Sequence, residues 1–454
     1  MTTDEMPGAG ERRGRPAIDL DRHSDRYRLE FEDLADDYHA RCPVAWNETH
    51  GGYWFANGGP ELFDIARRAD VLSNDHDVDG SSGTGYHGIS IPYQTNPMTR
   101  ARGGFLEMDP PAQRYYRQAL NPCLSPAAVA RWRPITEELT RACLDEAIET
   151  GRIDFVDDLA NIVPAVLTMA LLGLPMRDYE GYIYPVHASV YTSPDSPDHA
   201  RVRDLTLRMA METYAKVQAL RAAPRPGLIN ELINADIDGH RPDDVEVVGH
   251  VMLLMGGGFD TTTALTAHAL EWLSEHPGER ERLSRERAAL LDSATEEFVR
   301  FYTPAVGDGR TISQDCRIDG VDFREGERLW LSWAMANRDE RVFDDPHSVV
   351  LDRKGNRHSG FGLGIHRCIG SNVARATFKV MLTAVLDRMP GFACDPGGAV
   401  HYDSIGVING MKHLPATFTP GPRLGPGLPE TIARLQQTVD DERLAEPVTR
   451  TKPS

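Results

Sequence analysis

Apolar positions recur every three to four residues along most of the chain, and this period predicts amphipathic helices over 112–121, 126–150, 159–174, 200–223, 243–275 and 278–302. A short aromatic strand at 52–56 and a helix at 60–69 precede them, the helix showing Leu62, Ile65 and Ala66 on one face. Beyond residue 302 the pattern changes. Strands are predicted at 316–318, 321–323 and 328–332, with Asp319-Gly320 and Glu325-Gly326 supplying turns. A further helix at 371–389 leads to a β-like stretch over 404–418, and the tail from 421 to 454 carries one short amphipathic helix at 431–439. The class is mainly α with small β-sheets, and there is no internal repeat.

Two segments carry no hydrophobic period. Residues 1–25 are dominated by charge, Gly and Pro and are expected to form a disordered polar lead. Residues 72–108 are rich in Gly, Ser and Asn, and so long a loop in a compact protein is usually functional or mobile. At roughly 150 residues per domain the length of 454 suggests about three domains. With 41% hydrophobic residues the chain can build a large core without disulfides.

Charge and cysteine usage narrow the function. Acidic residues (68) outnumber basic ones (49), and the net charge of -19 repels phosphate backbones and anionic lipid, so neither nucleic acid nor a membrane is an expected partner. The six cysteines include no CxxC pair, so neither a disulfide framework nor a zinc ribbon is indicated. No stretch approaches the roughly 20 apolar residues that span a bilayer. The apolar run at 247–259 is interrupted by His250 and four glycines. A cytoplasmic location and a monomeric state are expected.

The sharpest local signal is Phe361-Gly362-Leu363-Gly364-Ile365-His366-Arg367-Cys368-Ile369-Gly370, a glycine-punctuated loop that sets a cysteine just before an amphipathic helix. A thiolate there gains from the unpaired N–H groups at the helix start, and the glycines let backbone approach the sulfur. A lone cysteine in a tight turn is more often buried and inert. A second signal, Gly256-Gly257-Gly258-Phe259-Asp260-Thr261, interrupts the longest helical pattern. Three helical glycines cost about 3 kcal/mol relative to alanine, so close approach of some group to that backbone is expected. A third is Glu297 and Arg300, one turn apart.

The spacing Phe-x-x-Gly-x-His-x-Cys-x-Gly resembles the cysteine-loop signature of the cytochrome P450 haem-thiolate monooxygenases, of the soluble bacterial type. The resemblance spans roughly 25–420 and implies one triangular haem-enclosing domain over 26–420 in place of three. It implies haem b as cofactor and O2 as co-substrate. Cys368 then stands as the axial metal ligand, with Phe361 beside the sulfur and His366 at a haem propionate. Thiolate ligation pushes electron density onto iron and favours O–O cleavage. Gly258, Asp260 and Thr261 match the segment crossing the distal face, where Thr261 would hydrogen-bond bound dioxygen and Asp260 would relay protons from solvent.

The resemblance also reads Glu297 and Arg300 as a buried structural ion pair with Arg353 as candidate third partner. Arg117 and Arg310 are read as propionate contacts, and Gln113 stands where the family more often has histidine. Substrate contacts fall at Phe259, Val306 and Val407, and in the segments 72–108 and 175–225. Their mixture of apolar and polar residues suits a hydrophobic small molecule such as a terpenoid, steroid-like compound or polyketide. The chain has no Rossmann glycine motif, so electrons are expected from a separate acidic ferredoxin and ferredoxin reductase. Arg114, Arg131, Arg133, Arg353, Lys354, Arg357 and Arg367 are the basic residues expected to steer that donor. A peroxide-driven peroxygenase and a haem-based gas sensor are the competing readings.

Overall fold

The computed structural model describes residues 16–78, 80–92, 102–192 and 196–448. The helices that matter for the site are α1 (Ala112–Leu124), α2 (Arg133–Ala147), α3 (Ile162–Leu172), α4 (Glu180–Tyr191), α5 (His199–Ala222), α6 (Asp244–Glu275), α7 (Arg287–Tyr302), α8 (Ser371–Arg388) and α9 (Leu428–Asp441). The strands are β1 (Ala17–Ile18), β2 (Val44–Asn47), β3 (Tyr53–Ala56), β4 (Leu72–Ser73), β5 (Asp308–Ile312), β6 (Arg328–Leu331), β7 (Val400–His401) and β8 (Met411–His413).

The 32-residue α6 is the axis of the fold. Asp243 caps its first turn and Glu246 returns the bond to the cap backbone, so both ends of a capping box are satisfied. Around it pack α3, α4, α5 and α8, and α8 in turn packs on α2. One apolar cluster joins these helices, running from Phe105 through Leu270 to Val439. A six-stranded sheet in the order β1-β2-β3-β6-β5-β4 stands beside the helices, and its aromatic residues Trp54, Phe55 and Trp330 are buried. β7 and β8 form a separate antiparallel pair.

The helical period located the long elements, but two were read as too long. The span expected over 126–150 is two helices, Pro126–Ala130 and α2, separated by a turn at Arg131 and Trp132. The span expected over 278–302 breaks at Glu286, between Pro277–Arg285 and α7. Helix α4 was not anticipated; Pro185 lies inside it and hid its period.

The polar lead is shorter than the sequence suggested. Ala17 and Ile18 pair in parallel with Trp46 and Asn47, while Ile18, Leu20 and Arg22 are buried. Arg22 lies 3.3 Å from the centroid of the Trp330 ring and donates to the carbonyl oxygens of Ile91 and Gly406. A charge in the sequence thus became a core anchor, because backbone acceptors and an aromatic face solvate it. Residues 1–15 lie outside the described residues. The C-terminal segment is likewise part of the packed body: Ile432, Leu435 and Val439 of α9 are buried and α9 packs on α2.

Candidate active site

The cysteine loop turns back on itself before α8. Gly362 and Gly364 adopt positive φ (67° and 68°), and a Cβ on Gly364 would meet the Ala66 carbonyl oxygen at 2.7 Å, so glycine is required there. The Cys368 N–H donates to the Phe361 carbonyl at 2.8 Å, closing the loop. Cys368 is surrounded by the protein yet its own surface is open, as expected of a residue that faces an internal hollow. Burial pushes its thiol up, opposed by the Gly370 N–H and by Arg117, Arg367 and Arg375. Beside it the Phe361 ring lies 4.1 Å from the Arg375 guanidinium, and Arg375 is held by Glu296.

Near the loop the charges are unbalanced. Burial, with Arg310 and Arg117 close by, pushes His366 down to about 2, so these three groups converge. Among the described residues no carboxylate pairs with Arg117, whose Nη2 donates to the Arg367 carbonyl at 2.7 Å. Arg310 lies 3.0 Å from Asp308, but burial pushes that carboxyl up and weakens its negative charge. One buried and one half-buried guanidinium without full neutralisation fit an anionic ligand such as the two propionates of haem. Gln113 is placed differently from its expected role: its amide donates to the Ile365 carbonyl at 2.9 Å and ties α1 to the cysteine loop.

The glycines of α6 have unequal reasons. A Cβ on Gly258 would strike Thr168 Oγ1 of α3 at 2.6 Å, so close packing requires glycine there. Gly256 and Gly257 have nothing within 4 Å of a built Cβ and border open space, so no protein group presses on them. Leu253, Gly257 and Thr261, spaced by four, form one open stripe of α6. Phe259 lies on the opposite phase with 0% exposure, and Val306 has 1%, so neither borders a space wide enough for water. These two expected substrate contacts are core residues. Val407 is 45% exposed.

Thr261 and Asp260 diverge as neighbours on a helix must. The Thr261 hydroxyl donates to the Gly257 carbonyl at 2.9 Å, leaving its lone pairs toward the open stripe. Asp260 is 1% exposed and faces protein, so it does not meet solvent directly. Its Oδ1 accepts from the Tyr402 hydroxyl at 2.6 Å and from His187 Nδ1 of α4. Burial and the Asp260 charge push Tyr402 strongly up, which keeps it a donor. Asp260 Oδ2 and His187 Nε2 are buried with no hydrogen-bond partner among the described residues. Neither His187 nor Tyr402 stood out in the sequence, because each is isolated from any motif.

Comparison with known proteins settles the family. A steroid C26-monooxygenase of Mycolicibacterium smegmatis is 30% identical over 408 residues, covering 86% of this chain and 91% of that protein. The chain belongs to the cytochrome P450 family. A family model described as Cytochrome P450 matches residues 183–390. A methyl-branched lipid omega-hydroxylase of Mycobacterium tuberculosis is 27% identical over 376 residues, covering 81% of this chain and 84% of that protein. A solved mutant of P450 EryK in complex with erythromycin B superposes with a TM-score of 0.75 at 26% identity, covering 88% of this chain and 98% of that one. The protein is therefore a P450 monooxygenase with a single P450 fold, and its family uses haem with a cysteine thiolate, O2, redox partners and hydrophobic substrates.

In this P450 the pair on α7 is a closed network. Arg300 and Glu297 are fully buried with two 2.8 Å bonds between them, and Arg353 Nε binds both Glu297 oxygens at 3.0 and 2.9 Å. Asn356 and the Val350 N–H complete the carboxylate, while Arg300 donates to the carbonyls of Asn337, Pro346 and Ser348. Arg353 is thus the third partner and is withdrawn from the expected basic surface. Arg133 is paired with Glu137, and Arg131 donates to backbone of Arg443 and Glu446. Arg114, Lys354, Arg357 and Arg367 are exposed and form no ion pair among the described residues. No described helix is long and apolar enough to cross a membrane.

Proposed function

We propose that this P450 binds haem b through Cys368 and inserts one oxygen atom from O2 into a C–H or C=C bond of a steroid-like or other terpenoid or polyketide molecule. Haem, when bound, supplies the reductive activation of O2. Arg117, Arg310 and His366 would hold its propionates, Phe361 packs by the sulfur, and Gln113 braces the loop that presents it. The observation that carries the reading is an open-faced Cys368 at the head of α8, which packs on the helix bearing the open stripe 253–261.

The chain's own residues then have defined tasks. Thr261 offers lone pairs and an exchangeable proton at the edge of the open stripe, and orders a water there. Tyr402 and His187 immobilise Asp260 Oδ1 and leave the buried Oδ2 as the oxygen through which the acid would exchange a proton. Arg114, Lys354, Arg357 and Arg367 offer positive charge against the acidic total of the chain and suit docking of an acidic ferredoxin served by its reductase. Steroid-like substrates are favoured because the Mycolicibacterium relative is a steroid C26-monooxygenase and the Mycobacterium relative hydroxylates a methyl-branched lipid.

Titrating the haem-loaded protein with a sterol, a methyl-branched fatty acid and a macrolide, followed by NADH-driven turnover with ferredoxin and reductase, tests this. Sterol-induced conversion to the high-spin spectrum with oxygenated product is expected. Product formed from hydrogen peroxide and none from NADH would replace the reading with a peroxygenase.

A further inference from the structure

His268 and Glu271 lie one turn apart on α6, and His401 of β7 comes against them. Glu271 Oε1 is 3.1 Å from His401 Nε2, and Oε2 is 3.7 Å from His268 Nδ1. His268 is buried, stacks on Tyr302 with ring centroids 4.6 Å apart, and places Nε2 3.2 Å from the Asn409 carbonyl oxygen. A carbonyl only accepts, so Nε2 carries a proton. In the neutral ring Nδ1 is then a lone pair aimed at a carboxylate oxygen. Two acceptors that face each other need a second ring proton or a cation between them. Among the described residues no lysine or arginine pairs with Glu271.

The spacing suits the cation. Tetrahedral zinc holds N and O ligands at about 2.0–2.1 Å, which sets neighbouring ligand atoms about 3.3–3.4 Å apart. The separations of 3.1 and 3.7 Å, each to a different Glu271 oxygen, lie close to that value, and one ligand atom from each of the three residues falls within 4.8 Å of the others. Two imidazoles and one carboxylate are borderline donors that select zinc over magnesium or calcium. The Asn409 carbonyl on His268 Nε2 is the backbone bond that commonly fixes the tautomer of a metal-binding histidine.

We propose that His268 Nδ1, Glu271 and His401 Nε2 bind one divalent transition metal of the zinc type, which pins the β7–β8 pair to α6. The metal is remote from the haem thiolate in the chain and plays no part in oxygen activation. Its structural consequence is specific: His401 immediately precedes Tyr402, whose hydroxyl holds Asp260. Occupancy would fix the strand that clamps the acid.

Calorimetric titration of chelator-treated, haem-loaded protein with zinc chloride tests the site, with magnesium chloride as the comparison. One equivalent of zinc and no magnesium should bind. His401→Ala and Glu271→Gln should each weaken zinc binding at least about tenfold, with the haem spectrum confirming that the variants fold. His413→Ala is the control, because His413 lies with Asp154 and Asp157 in a more exposed cluster of similar composition. The thermal midpoint should rise with zinc in the unsubstituted protein and in His413→Ala alone. No zinc binding, or zinc binding that survives both His401→Ala and Glu271→Gln, would overturn the proposal and leave a second proton on His268 as the cation.

Discussion

Asp260 derives its role from two side chains far from it in the sequence. Next to Thr261 on a glycine-rich helix it was legible as half of an acid and alcohol pair. That it turns away from solvent onto His187 and Tyr402 was not, because helix phase separates neighbours by about 100° and only tertiary packing says what lies on each side. Asp260→Asn should slow NADH-driven product formation by about 100-fold while leaving the haem spectrum unchanged. Tyr402→Phe removes one charge-assisted bond worth about 2 kcal/mol and should lower product per NADH, with Thr261→Ala showing the same loss as excess peroxide. Coupling in all three variants unchanged from the unsubstituted protein, measured as the ratio of product to NADH, would contradict the assignment. The same scale explains the fate of Phe259: its position by the motif suggested a substrate wall, but its phase points into the core.

At the scale of elements, α6 carries glycines for two different reasons that composition could not separate. Gly258→Ala should destabilise the fold by about 1–3 kcal/mol, since its methyl meets Thr168 Oγ1 at 2.6 Å. Gly257→Ala should stabilise the helix by up to about 1 kcal/mol in chemical denaturation, because nothing opposes the new methyl. It should also alter the spin-state response to substrate by intruding on the open stripe. The α7 network behaves as a unit: Glu297→Ala leaves Arg300 and Arg353 without their carboxylate and should cost about 3–5 kcal/mol, seen as a lowered denaturation midpoint and loss of haem. Its third member was nameable as a candidate from the family resemblance, but no pattern revealed the three carbonyls that Arg300 also binds.

Across the whole molecule, the motifs decided more than the length did. Five separated motifs resembling one family implied a single domain where 454 residues suggested three. Missed at the N-terminal end was Arg22, which joins the packed body through a cation–π contact that a charged, Pro-rich sequence concealed; the amphipathic helix of the tail was legible, and only its docking on α2 was not. Acid stability belongs to this scale. Burial raises Glu296, but Arg375 and His358 outweigh it and hold the carboxyl at about 2, below the ordinary 4.5. Its contribution is therefore complete above pH 4.5 and lost as pH falls toward about 2, and Glu296→Gln should flatten the stability profile in that window alone.

The account rests on Cys368 as the haem ligand, and the chain offers five other free cysteines, of which Cys123 is pushed up to about 12 and Cys394 to about 11 by burial. Carbon monoxide added to the reduced protein reads the ligand directly. The unsubstituted protein should give the red-shifted Soret band of thiolate-ligated haem, and Cys368→His should move it to the shorter-wavelength band of imidazole ligation. A thiolate band that persists in Cys368→His, or an imidazole band in the unsubstituted protein, would contradict it.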